Sequence, residues 1–161
     1  MKNSTLPLPT ILRRLCLIAV LTPLFHPRAA AQEPAKVSSD RVRVNVYRYK
    51  QYMGKGLRPS IYVDENDVAR LQDGRYVALA LAPGTHTFRS NDQQSQVELN
   101  LKAGQEYYLR IDIAPGMWKG HGRLTLVQPE QGAGELEKMK PADAGMIKDG
   151  EFLAAGFQPA S

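Results

Sequence analysis

The chain has 161 residues, 43% of them hydrophobic and 23% charged, with 13 Gly, 11 Pro, one Cys and a formal charge of +5. This composition excludes a collagen-like chain, a disulfide-stapled scaffold and a wholly disordered polymer, and the length allows about one domain.

Residues 1–31 carry Lys2, Arg13, Arg14 and Arg28, an apolar run over residues 15–25 and no acidic residue. That is the layout of a secretory signal peptide. As a helix the run would span roughly 16 Å, about half a hydrocarbon core, so no permanent membrane span is expected. Pro23 interrupts it further. Ala29 and Ala31 supply the small residues wanted before a cut, which places cleavage between Ala31 and Gln32. Cys16 follows Arg13, Arg14 and Leu15 where a lipid-anchored Cys needs small residues, and Leu12 precedes the arginine pair where a twin-arginine signal has Ser or Thr. The expected location is the periplasm or the extracellular space, without a lipid anchor. Cleavage removes Cys16 and four cations, leaving a thiol-free chain of formal charge +1. Disulfides, thiolate metal sites and a cysteine nucleophile are then excluded, and export argues against a nucleic-acid partner.

Residues 32–40 (QEPAKVSSD) are polar and read as a flexible lead-in. Beyond them Val42, Val44 and Val46 share one parity, as do Ile61 and Val63; Val77, Leu79 and Leu81; Val97, Leu99 and Leu101; and Tyr107, Leu109, Ile111 and Ile113. A period of two means strands with one buried face. Asp73-Gly74, Pro83-Gly84, Ala103-Gly104 and Pro115-Gly116 punctuate these runs. Regular short strands with Gly and Pro turns predict an all-β fold, a single antiparallel sandwich, immunoglobulin-like or transthyretin-like, of about seven or eight strands over residues 41–140. After Pro129 the alternation stops; residues 135–140 are expected to form a short helix ended by Pro141, and residues 141–161 a mostly mobile tail. Phe152, Leu153 and Phe157 in that tail are apolar enough to dock on the domain or on a partner.

A strand ending in Tyr62-Val63-Asp64, a VARL strand, Asp73-Gly74, a Pro83-Gly84-Thr85-His86-Thr87 turn, Ala103-Gly104 before Tyr107-Tyr108 and a closing Glu135-Leu136 follow one another in order. On these signals residues 42–140 resemble the bacterial family catalogued as domain of unknown function 2846. The resemblance implies an exported β-sandwich module, often lipid-anchored, and carries over no catalytic residue; this chain departs from it in lacking a lipobox.

Candidate chemistry is sparse. His86 shares parity with Phe88 after a tight turn, so its ring is expected to pack inward with one nitrogen on the backbone, and His121 sits in the Gly-rich stretch GMWKGHGR. Ser60, Ser90 and Ser95 lack a nucleophile-elbow context, and the DEND stretch of Asp64, Glu65, Asn66 and Asp67 reads as a hairpin turn because it is too short for a calcium loop. The strongest feature is a run without acids between Asp40 and Asp64, where Arg41, Arg43, Arg48, Lys50, Lys55 and Arg58 alternate with Tyr47, Tyr49 and Tyr52. As a surface it would meet an anionic partner; the plainer reading is a solvated strand face followed by a mobile QYMGKG loop.

The expected function is non-enzymatic binding or scaffolding in the cell envelope, with an envelope protein or an anionic envelope polymer as partner. Arg43, Tyr47, Arg48, Tyr49, Lys50, Tyr52, Trp118 and His121 are the candidate contacts. No catalytic residue, metal or cofactor is assigned, and the oligomeric state stays open. Two alternatives remain: a small envelope hydrolase or carbohydrate-active enzyme built on His121, Trp118 and an unidentified carboxylate, and an assembly subunit docked through its C-terminal tail.

Overall fold

Strands that alternate in this way need a second sheet to cover their apolar faces. A computed structural model describes residues 40–92, 94–115 and 120–161, and the candidate residues Ala31, Gln32 and Trp118, with the expected signal peptide and all but the last residue of the lead-in, lie outside them. One sheet holds five strands in the order β8-β7-β1-β4-β9: β1 is Val42–Arg48, β4 Arg75–Leu81, β7 Glu106–Ala114, β8 His121–Val127 and β9 Lys140–Pro141. The other has the order β3-β2-β5-β6, with β2 Ser60–Val63, β3 Asn66–Arg70, β5 Gly84–Arg89 and β6 Val97–Leu101. The architecture is the expected all-β sandwich. Most pairings are antiparallel, but β1 runs parallel to β7, and β4 to β9.

The inward parity read from the sequence is the one that packs. Val44 and Val46 of β1, Ile61 of β2, Leu79 of β4, Phe88 of β5 and Ile111 of β7 are fully buried in one cluster shared by both sheets. The central strand β1 is covered on its outer face as well. Tyr47 joins Tyr108, Val127 and Met139 in a second cluster, flanked by Tyr76 and Leu136. All these strands and clusters fall within Ala35–Ser161, which is a compact unit in itself.

The helix lies earlier than the sequence suggests. It spans Pro129–Leu136 (α1), not residues 135–140, because Pro129 at the first helical turn fixes φ without sacrificing a hydrogen bond. Gly132 lets the helix lie directly on the Tyr108 ring, where no Cβ would fit. Lys140 and Pro141 instead pair with Arg75 and Tyr76.

Residues 141–161 differ from the expected mobile tail. Ala142 N–H donates to Tyr76 O at 2.8 Å, Lys148 N–H to Val68 O at 2.8 Å and Ala154 N–H to Ala78 O at 2.9 Å. Phe152, Leu153 and Phe157 pack against the main core, so the apolar side chains that stand out in this segment are spent on the domain itself.

The DEND stretch is the expected hairpin turn. Asp64 and Glu65 have φ of 47° and 70°, the double positive φ of a type I′ turn, which matches the twist of the flanking strands. His86 sends Nε2 to Ala82 O at 3.0 Å, the expected backbone bond, while its Nδ1 lies 2.6 Å from Asp64 Oδ2. Asp64 Oδ1 also accepts the Thr87 N–H at 2.9 Å. Burial works to raise the Asp64 carboxyl, but the Thr87 amide and the His86 ring outweigh it and hold the group below its usual range. This pair staples the β2–β3 turn to β5.

Candidate functional site

The site grows from an arginine at the end of β1. Arg48 continues the inward parity of Val42, Val44 and Val46 and is fully buried. Its guanidinium donates to Leu57 O through Nη1 and to Gly54 O through Nη2 at 2.6 Å, with Asp73 Oδ1 3.8 Å from Nη2. Burial lowers its pKa from the ordinary value and the Asp73 charge opposes that shift. Its Nε is buried without a partner among the described residues. The charge is used to hold the following loop.

That loop, residues 49–59, is tied at four further points. Gln51 N–H donates to Asp73 Oδ1 at 3.0 Å, Ile113 N–H donates to Gln51 Oε1 at 3.2 Å, Leu57 N–H donates to Gly54 O at 2.8 Å, and Leu71 N–H donates to Pro59 O at 3.0 Å. Gly54 has φ +75° and its α-carbon faces Ile113 so closely that a Cβ would clash. The QYMGKG stretch is therefore a hydrogen-bonded projection, where a mobile loop was the plainer expectation.

The projection presents cations. Lys50, Lys55 and Arg58 line a cleft of about 440 Å³ with Gln72, Asp73 and Arg75. Arg75 is engaged by Asp143 at 3.0 Å and by Pro141 O at 2.8 Å, and Asp73 by Arg48 and the Gln51 amide. Among the described residues, no carboxylate lies within ion-pair distance of Lys50, Lys55 or Arg58. A second cleft, of about 340 Å³, shares Gly56 and Arg58 and adds Asn91 and His121. His121 is the first residue of β8, opposite Ala114. Among the described residues no Asp or Glu lines its cleft. Among the described residues no three His, Cys, Asp or Glu side chains are placed to share a metal ion.

The candidate contacts thus separate. Lys50 and His121 come to the two adjoining clefts, and Tyr52 stands fully exposed at the tip beside Met53, which is 74% exposed. Tyr49 is exposed at a small hollow with Gln51, Arg110, Asp112 and Glu135. Two are corrected, and Arg43 is set apart from the loop. Arg48 is a buried strut. Tyr47 is fully buried beneath α1, donating to Glu135 Oε2 at 2.7 Å; burial, then this bond, raises its phenol above the ordinary value. Arg43 lies near the start of β1, roughly 20 Å of strand from Lys50, and is paired with Glu106 at 3.3 Å.

Residues 38–122 match the model of the family described as protein of unknown function (DUF2846). The chain belongs to this family. The match takes in β1 to β7 and the first two residues of β8, and so both clefts of the basic end, but not α1 or the C-terminal segment. An uncharacterized protein of Haemophilus influenzae is 23% identical over 108 residues, covering 65% of this DUF2846 chain and 64% of that protein. The chain thus spans less than two thirds of that relative's length. No solved structure matches.

Sequence reasoning about this DUF2846 protein undervalues Arg58 and leaves out Arg75, which reaches the cleft from the start of β4. Nothing local announces Arg75, because its position depends on the β1–β4 pairing. Arg48 was readable: its parity with the valines already directs it inward. A larger groove of about 630 Å³, lined by Tyr107, Tyr108, Leu126, Val127 and Pro129 among others, lies near the opposite end of β7 and is lined by no cation among the described residues.

Proposed function

We propose that this DUF2846 protein is an exported, non-enzymatic β-sandwich module of the cell envelope that binds an anionic partner through its basic end. The observation that carries the reading is the trio Lys50, Lys55 and Arg58, free of ion pairs among the described residues, around a cleft whose frame is fixed by Arg48. A fixed surface whose cations outnumber its one carboxylate, Asp73, itself engaged by Arg48 and the Gln51 amide, attracts an oppositely charged partner at little ordering cost. The leader pattern of residues 1–31 supports export. No helix of the described residues is long and apolar enough to cross a membrane.

The test is co-sedimentation of residues 32–161 with washed envelope fragments at increasing salt. Binding that weakens with salt, and is lost in Lys50→Glu/Lys55→Glu/Arg58→Glu, is expected. Binding by the wild type that ignores both salt and the triple reversal would overturn the assignment.

A further inference from the structure

The basic end carries two side chains that charge does not explain. Tyr52 is 100% exposed and the adjacent Met53 74% exposed, at the apex of a loop held by bonds from Arg48, Gln51 and Leu57. A flexible loop could fold such residues back; this one holds them outward. Neighbouring large apolar side chains displayed on a rigid tip mark a contact with something apolar.

The cations surround that tip in sequence. Lys50 lies two residues before Tyr52, Lys55 two residues after Met53 and Arg58 three further on, with no acidic residue from 41 to 63. A soluble polyanion would be served by the cations alone and gives Tyr52 and Met53 nothing to bury. A membrane of anionic phospholipid offers both parts at the right depths: phosphates outside for Lys and Arg, and acyl chain just beneath for a methionine, with the headgroup layer between for the amphipathic ring of a tyrosine.

We propose that Tyr52 and Met53 enter the interface of an anionic phospholipid membrane while Lys50, Lys55 and Arg58 meet its phosphates, which makes the 49–58 loop a peripheral membrane-docking tip. This rests on the reading of the basic end as an anion-binding surface, and names the partner of that surface. The loop's fixed conformation means that docking orders little of the protein, and insertion by one loop reaches no deeper than the roughly 5–10 Å typical of interfacial elements.

The experiment is flotation of residues 32–161, a length that excludes the apolar leader, with vesicles of equal parts phosphatidylglycerol and phosphatidylcholine, or of phosphatidylcholine alone. Retention on immobilised polyphosphate is measured in parallel. The wild type is expected to float with the anionic vesicles only. Each basic residue near such a surface is worth about fivefold in partition, so Lys50→Glu/Lys55→Glu/Arg58→Glu is expected to lose about two orders of magnitude or more. Tyr52→Ser/Met53→Ser, at two exposed positions, is expected to float about tenfold less while keeping its polyphosphate retention. A wild type that binds polyphosphate or envelope fragments but not anionic vesicles overturns the lipid inference and leaves the anionic partner standing. A wild type that binds none of these overturns both. A Tyr52→Ser/Met53→Ser variant that floats like the wild type overturns the insertion of the tip.

Discussion

Between Arg41 and Arg58 the chain mixes cations with tyrosines, yet the residues from Val42 to Arg48 form the middle strand of a sheet whereas those after it form a loop. In the strand half, Tyr47 is sealed under α1, Arg48 is buried and Arg43 is paired with Glu106. In the loop half, Lys50, Tyr52 and Lys55 face solvent. The same composition serves as scaffold in one half and as surface in the other. What separates them is cover over the sheet faces: the core shared with the second sheet packs on the inward side of β1 and the cluster with Met139 and Leu136 over Tyr47, whereas Tyr52 and Met53 of the loop stand exposed.

The comparison is broken most forcefully at Arg48. Replacing it with Ala strips Leu57 O and Gly54 O of their donor and empties a buried volume, at a cost of about 3–5 kcal/mol; urea unfolding of residues 32–161 measures it, and a loss under about 1 kcal/mol would mean Arg48 is no strut. Next comes Gly132→Ala, whose Cβ meets the Tyr108 ring. Displacement of α1 should lower stability by about 1–3 kcal/mol in the same assay.

Tyr47→Phe is expected to cost about 1 kcal/mol by removing the bond to Glu135. Burial works to raise the Glu135 carboxyl, but bonds from Gln131 and Tyr47 and the Arg110 charge outweigh it, so it titrates below its ordinary value. A carboxyl depressed in the fold gives stability that is complete above its unfolded pKa of about 4.3 and is lost as pH falls through the folded value. Unfolding followed from pH 7 down through about pH 4 should therefore show a shallower acid loss in Tyr47→Phe than in the wild type. Parallel curves would detach Tyr47 from the latch.

The sandwich was legible in the sequence because burial on one face writes a period of two into every long strand, and Gly and Pro mark the turns between. The helix was misplaced because residues 129–136 contain two glycines and a proline, poor formers whose adoption of helix depends on the Tyr108 ring beneath them. The final segment gave no period at all, since it docks through isolated bridges such as Ala69 with Ile147 and Leu79 with Leu153. At the site, the basic run was visible but its division was not: Tyr47 and Arg43 share an outward parity, and only α1 arriving from far along the chain buries the first and leaves the second open.

The smallest stability effects belong to the loop. Lys50→Glu/Lys55→Glu/Arg58→Glu and Arg43→Ala should each stay within about 0.5 kcal/mol of the wild type, because exposed charges and surface ion pairs contribute little to folding. Function should separate what stability does not. The most direct measurement is salt-dependent co-sedimentation with envelope fragments of these two variants side by side. The loop is the contact surface if the triple reversal abolishes binding and Arg43→Ala binds as the wild type does. Loss of binding in Arg43→Ala with retention in the triple reversal would contradict it and return the surface to strand β1.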